Sequence, residues 1–203
     1  MSTPKSLLIS GAVEGLVDEA VLRRLVEHVG ALPGPIYGRN GKQDLKQRLH
    51  GYNQAAQLGP WLVLVDLNHD ADCAPPLRQS WLPGPAPRMC FRVVVRMVEA
   101  WLLADREEIA RLLAVAVAQI PSRPDELDDP KQTLVQLAQR SRRKGVREDM
   151  LPRVGSGRPT GPAYPSRLIE FATGPWRPDV AAASSDSLSR CLRRLKDLIG
   201  GRL

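Results

Sequence analysis

"WLVLVDLNHDADC", residues Trp61 to Cys73, decides how the rest of the chain is read. An apolar run from Trp61 to Val65 passes without a break into Asp66, Asn68, Asp70 and Asp72. An uninterrupted Leu/Val run of this length is the pattern of a strand buried on both faces, as in parallel sheets covered by helices. Ligands of such open sheets bind beyond the carboxyl ends of the strands. The acidic stretch is therefore either the mouth of a metal site or a solvated loop.

Working outward, "SLLISGAVEG" (6–15) reads as a strand ending in a glycine-rich turn. "VDEAVLRRLVEHVG" (17–30) follows with apolar residues at helical spacing and Gly30 as its cap. "GPIYGRNG" (34–41) reads as a second short strand and turn, and "KQDLKQRLHGYNQAAQ" (42–57) as a second helix. A fourth strand, "MCFRVVVR" (89–96), leads into "MVEAWLLADREEIARLLAVA" (97–116), which is strongly helical throughout. Further helices are expected around "DPKQTLVQLAQRS" (129–141) and "SLSRCLRRLKDLIG" (187–200), on either side of the Pro/Gly-rich "LPRVGSGRPTGPAYP" (151–165). Strands alternating with helices predict an α/β, doubly wound, mostly parallel four-stranded sheet with helices on both faces. Residues 1–115 form the expected core, and 116–203 a basic helical extension packed on it as one compact unit.

Composition narrows the class. The chain has 203 residues, enough for one domain with a sizeable core, and its 43% hydrophobic and 25% charged content is that of a soluble globule. Cys73, Cys90 and Cys191 are odd in number and far apart, and no apolar stretch reaches the ~18 residues of a membrane span. The start does not resemble a secretory signal, so a cytoplasmic location is expected. The net charge of +7 is unevenly spread. Residues 1–139 carry 15 positive and 16 negative side chains, whereas residues 140–203 carry 14 and 6. Cations that hold phosphates, beside carboxylates that hold a metal, are the charge pattern of an enzyme acting on nucleic acid.

The topology assigns the acids to one place. Glu14 follows the first strand, Asp66 and Asn68 end the third, and Glu99 lies just after the fourth, so all should converge at one edge of the sheet. Convergent carboxylates repel unless a cation sits among them, and hard oxygen ligands select Mg²⁺ or Mn²⁺ over zinc. Three other motifs fail. Asp66, Asn68 and Asp70 imitate half an EF-hand, but Ala71 stands where that loop needs Gly and Leu77 where it needs Glu. His69 and Cys73 have no second pair of zinc ligands at suitable spacing. "GRNGKQ" would need Gly at Ile36 and Ser or Thr at Gln43 to be a phosphate loop, although Lys42 could still touch phosphate.

A glycine-flanked Glu14, an Asp-x-Asp-like element at Asp66 and "RMVEAWLLAD" (96–105) resemble the TOPRIM-like proteins of domain-of-unknown-function family 4276. The likeness extends to "DDPKQTLVQLAQRS", "DMLPRVGSGRPTGPAY" and "SSDSLSRCL", and thus over most of the chain. It implies a TOPRIM-type fold in which Glu and Asp-x-Asp carboxylates hold Mg²⁺ for phosphodiester chemistry. It also implies a setting in phage defence with a partner ATPase. Asn68 departs from the motif, because it offers an oxygen without a charge where the family places the second Asp; Asp70 and Asp72 are the charged neighbours.

Two functions follow as expectations. One is a Mg²⁺-dependent nuclease acting on DNA or RNA, with Glu14, Asp66, Asn68, Asp70 and Glu99 as metal ligands and Lys42 or Arg96 clamping phosphate. Arg158, Arg193 and Arg194, from the basic carboxyl-terminal third, would hold the nucleic acid. The other is a non-catalytic TOPRIM-like adaptor that binds a partner ATPase or nucleic acid.

Overall fold

The computed structural model describes residues 7–201. Ser6, the first residue of the expected opening strand, lies outside them. Strands β1 (Leu8–Val13), β2 (Leu32–Gly38), β3 (Trp61–Asp66) and β4 (Met89–Val94) form one sheet in the order β2-β1-β3-β4, every neighbouring pair parallel. Helix α1 (Leu16–His28) leads from β1 outward to β2, α2 (Lys42–Ala55) carries the chain back over β1 to β3, and α3 (Ala74–Trp81) continues to β4. Parallel crossovers are right-handed, so the β1–β2 and β2–β3 connections, which run across the sheet in opposite directions, place their helices on opposite faces. Accordingly Val21, Leu22 and Leu25 of α1 pack in one core cluster, while Leu45 and Leu49 of α2 and Leu77 of α3 pack in the other.

The run that opens β3 is explained by this double cover. Leu62 and Leu64 face the α1 side, Trp61, Val63 and Val65 the α2 side, and all five are buried. β4 repeats the division, with Cys90 and Val94 against Met89, Phe91 and Val93. At the other edge, β2 contains Pro33 and Pro35, which cannot donate to a further strand and so protect the sheet from pairing beyond it. Tyr37, Tyr52 and Trp61 stack with ring centroids 5.2 to 6.1 Å apart, joining β2, α2 and β3.

The remaining helices all build on the α1 side: α4 (Val98–Ala104), α5 (Arg106–Leu113), α6 (Pro130–Gln139), α7 (Lys144–Met150), α8 (Tyr164–Thr173), α9 (Pro178–Ala182) and α10 (Asp186–Ile199). Leu134, Phe171, Trp176, Leu188 and Leu195 share one cluster with Ile9, Leu22 and Leu62, so the carboxyl-terminal helices complete the core of the sheet's own face. No described helix is long and apolar enough to cross a membrane.

Two elements differ from the periodicity. The helix expected over 97–116 is broken at Asp105, whose fully buried carboxylate caps α5 and binds the Arg177 guanidinium at 2.7 and 3.0 Å. Buried charge demands such a partner, and a continuous helix would deny Asp105 this position. Helix α3 is an element that the sequence pattern did not predict; its Pro75 and Pro76 are tolerated in the first turn, where the N–H groups lack helical partners in any case.

Gly38 closes the β1–β2 edge at φ 90°, and a Cβ there would lie 2.2 Å from the Val13 carbonyl oxygen. Gly38→Ala should therefore lose more than about 2 kcal/mol in urea denaturation. Gly51, inside α2 with open space around it, should gain about 0.5–1 kcal/mol as alanine. Wild-type stability in Gly38→Ala would contradict the close approach of β2 to Val13.

Candidate functional site

The sheet reverses its direction of winding between β1 and β3, and the crevice at their carboxyl ends is where open α/β sheets bind ligands. Glu14 leaves β1 there, and its Oε1 accepts the Asp66 peptide N–H at 2.8 Å, tying the ends of the two strands together. Asp66 in turn accepts the Val98 N–H on Oδ1 at 3.1 Å, so the carboxylate that ends β3 also starts α4. That start fixes Glu99 in the first turn of α4, buried. Asp18, in the first turn of α1, completes the group.

Asp18, Asp66 and Glu99 line a pocket of about 300 Å³ together with Lys131, Thr160 and Tyr164. The last three come from α6, the 151–163 loop and α8, so the basic extension forms one wall. Lys131 Nζ stands 3.5 Å from Glu99 Oε1, and the Tyr164 hydroxyl donates to the same oxygen at 3.3 Å. Asp18 Oδ1 is sealed from solvent with no hydrogen-bond partner, an arrangement that native interiors rarely leave without a reason.

The electrostatics follow from this crowding. Burial pushes the Asp66 carboxyl well above its ordinary range, and repulsion from Asp18, Glu99 and Glu14 adds to it. Asp18 is raised to about 7, first by burial and then by Glu99. Glu14 is raised by burial, against the opposing hydrogen bond from Asp66 and the charge of Lys42. Lys131 is raised because the attraction of Glu99 and Asp66 outweighs the burial that alone would lower it. Fully ionised, the cluster would carry more negative charge than the Lys131 ammonium neutralises, and its carboxyls hold protons more tightly for that reason.

The other residues singled out in the sequence lie elsewhere. Asn68 occupies a left-handed turn at φ 51°, its backbone N–H donating to the Arg96 carbonyl at 3.0 Å and its carbonyl accepting from Arg96 Nη1 at 2.9 Å. Asp70 pairs with Lys42 at 2.6 Å. Lys42 also donates to the carbonyls of Asp66 and Leu67. Lys42 and Arg96 are thus straps on the 67–72 turn, outside the pocket lining, as are Asn68 and Asp70. Arg158 is exposed in the loop whose Pro159 and Thr160 reach the pocket. Arg193 borders a separate cavity of about 310 Å³ with Asp179 and Lys196, and Arg194 donates to the Pro87 carbonyl at 2.7 Å.

Asp18, Lys131 and Tyr164 were not singled out. Asp18 had a local signal, since it is an acid in the first turn of the helix that follows Glu14 at the carboxyl end of β1. Lys131 and Tyr164 reach the site only through long-range packing, which spacing does not encode.

A hard divalent cation fits this donor set in its chemistry: the groups are oxygens only, in excess negative charge, and Asp18 Oδ1 has no other partner. The fit is not ready-made. Among the described residues no three His, Cys, Asp or Glu side chains stand in a metal-binding arrangement. Glu14, Asp66 and Glu99 each spend an oxygen on an N–H or O–H donor. No protein-family model, curated protein or solved structure matches the chain.

A carboxyl whose pKa is higher folded than unfolded binds protons preferentially in the fold, so its contribution to stability falls as pH rises. For Asp18 that loss runs from its ordinary value of 3.8 up to about 7 and is complete above it. Asp18→Asn should therefore unfold at higher temperature than wild type at pH 8, by about 1 kcal/mol, with a flatter pH dependence between 4 and 8. An Asn variant less stable at pH 8 would mean that the charge of Asp18 is compensated.

Proposed function

We propose that the protein is a Mg²⁺- or Mn²⁺-dependent nuclease that cleaves phosphodiesters of DNA or RNA. The observation that carries this is the meeting of Asp18, Asp66 and Glu99 around one pocket at the reversal point of the sheet, with a buried Asp18 oxygen left without a partner. The resemblance of "VEG", the Asp66 element and "VEAWLLAD" to TOPRIM-like proteins of family 4276 supports the same chemistry. It further supports a role in phage defence beside a partner ATPase, and the odd, widely spaced cysteines support a cytoplasmic setting.

Asp18, Asp66 and Glu99 would hold the cation, which when bound supplies Lewis acidity and neutralises charge developing on the phosphoryl group. Glu14 positions Asp66 through its backbone, and Tyr164 orients Glu99. Lys131 Nζ lies at the rim of the acid cluster and donates to a phosphate oxygen of the substrate once Glu99 is engaged elsewhere. Asp18 holds its proton up to about pH 7 and would have to lose it to serve as a ligand, so affinity for Mg²⁺ should rise between pH 6 and 8.

One observation favours the adaptor instead: Glu99 is already satisfied by Lys131 and Tyr164, and a core that closes on itself in this way needs no ion. Asp66→Asn separates the two readings, because the amide oxygen can still accept the Val98 N–H while the charge is lost. In a nuclease it should abolish the heat of Mg²⁺ binding and lower Mn²⁺-dependent cleavage of labelled single-stranded DNA, duplex DNA or RNA by at least about 100-fold. Wild-type protein that gives neither cleavage of any of these substrates nor a heat with Mg²⁺ would overturn the nuclease reading and favour the adaptor.

A further inference from the structure

A third cavity, of about 970 Å³, opens beside β4, between α3 and the amino-terminal turn of α10. Its volume is at the upper end of the ~300–1,000 Å³ typical of ligand pockets. Three arginines line it: Arg78 from α3, Arg92 from β4 and Arg190 from α10. Two acids are present, and both are occupied. Asp125 accepts from the Ser185 hydroxyl at 2.7 Å and the Ser187 N–H at 3.1 Å, and Asp186 pairs with Arg190 at 2.7 Å.

Arg78 and Arg92 have neither an ion pair nor a side-chain hydrogen bond among the described residues. Arg92 is the more telling of the two. It stands on β4 between Cys90 and Val94, where the alternation of the strand calls for an apolar residue, and its Nε is sealed from solvent without an acceptor. Leaving that N–H without an acceptor costs free energy that no contact within the protein returns, although the side chain as a whole is only half-buried. An anion from outside would return it, and the arginine fork is shaped for phosphate oxygens.

The cavity also adjoins the carboxylate site. Val95 lines the arginine cavity and Val98 lines the acid pocket, so the two rims are joined by three residues, which span at most about 11 Å when extended. A strand of nucleic acid with one phosphate at the acid pocket would carry further phosphates along its length to the Val95 rim of the cavity that Arg92 and Arg78 line. We propose that the cavity between α3, β4 and α10 binds the phosphodiester backbone of the nucleic acid, beside the site of cleavage. The proposal rests on the nuclease reading for its choice of ligand, but its binding step needs no metal.

The test is fluorescence anisotropy with a labelled 20-nucleotide single-stranded DNA and its RNA counterpart, in EDTA, across a series of salt concentrations. Arg78→Ala with Arg92→Gln should weaken binding of at least one of the two about 10-fold or more and lower the salt slope by about 1.4, or about 0.7 per lost phosphate contact. Arg78→Lys with Arg92→Lys should keep most of the slope. Should Arg92→Gln fail to fold, Arg78→Ala alone, on the exposed face of α3, should lower the slope by about 0.7. Unchanged affinity and slope in a folded variant would overturn the proposal. So would a glutamate-rich peptide that binds as tightly as the oligonucleotides, or inorganic phosphate or a mononucleotide that does so, which would make the cavity a peptide or small-anion site. The heat of Mg²⁺ binding distinguishes this failure from that of the nuclease reading: a heat with no change of slope in the arginine variants sinks this proposal alone, and a lost slope in those variants with no heat in the wild type sinks the nuclease reading alone.

Discussion

The Asp66 peptide N–H, held by Glu14 Oε1 at 2.8 Å, joins the two strands between which the sheet reverses its winding. Much of the site follows from that bond. It draws one carboxylate against the end of β3, while the Asp66 side chain turns to accept the first free N–H of α4. Helix α4 then begins where it must, and Glu99 enters the same crevice from its first turn. Acids gather here because backbone donors at the ends of β3 and α4 have to be satisfied, and carboxylates satisfy them most strongly. The consequence is mutual repulsion, expressed in the raised proton affinity of Asp18 and Asp66.

The extension answers that repulsion only in part. Lys131 and Tyr164 stand on the wall that α6 and α8 build over the crevice, yet they reach Glu99 and leave Asp18 Oδ1 alone. An interior that can bind Asp105 to Arg177 through two hydrogen bonds is capable of pairing its buried acids. Where it declines to do so, stability has been given up locally, and sites that act on ligands are where proteins commonly do this. The unpartnered Arg92 is the same kind of exception with the opposite charge.

The four strands and their parallel pairing were legible because β3 and β4 are apolar on both faces, a pattern few other folds require. Glu14, Asp66 and Glu99 were legible for a related reason: Asp66 ends β3, Glu14 directly follows β1 and Glu99 opens the helix after β4, so topology brings them to one edge of the sheet. Asn68 and Asp70 share their stretch of sequence with Asp66 but not its position. The chain turns at Asn68 into a left-handed conformation, and Lys42 and Arg96 hold that turn away from the pocket. Two cations expected to meet phosphate are consumed in doing so. Lys131, Tyr164 and Arg92 were not legible, because their meaning depends on which neighbours they lack or acquire across the fold, and neither is written in local spacing.

Diffraction from a crystal soaked in Mn²⁺, recorded for its anomalous signal, bears most directly on the carboxylate crevice. A divalent centre there requires a peak about 2 Å from carboxylate oxygens of Asp66 and of Asp18 or Glu99, with Lys131 displaced from Glu99. No peak at millimolar Mn²⁺, or a peak confined to Asp70 and Asp72, would contradict it.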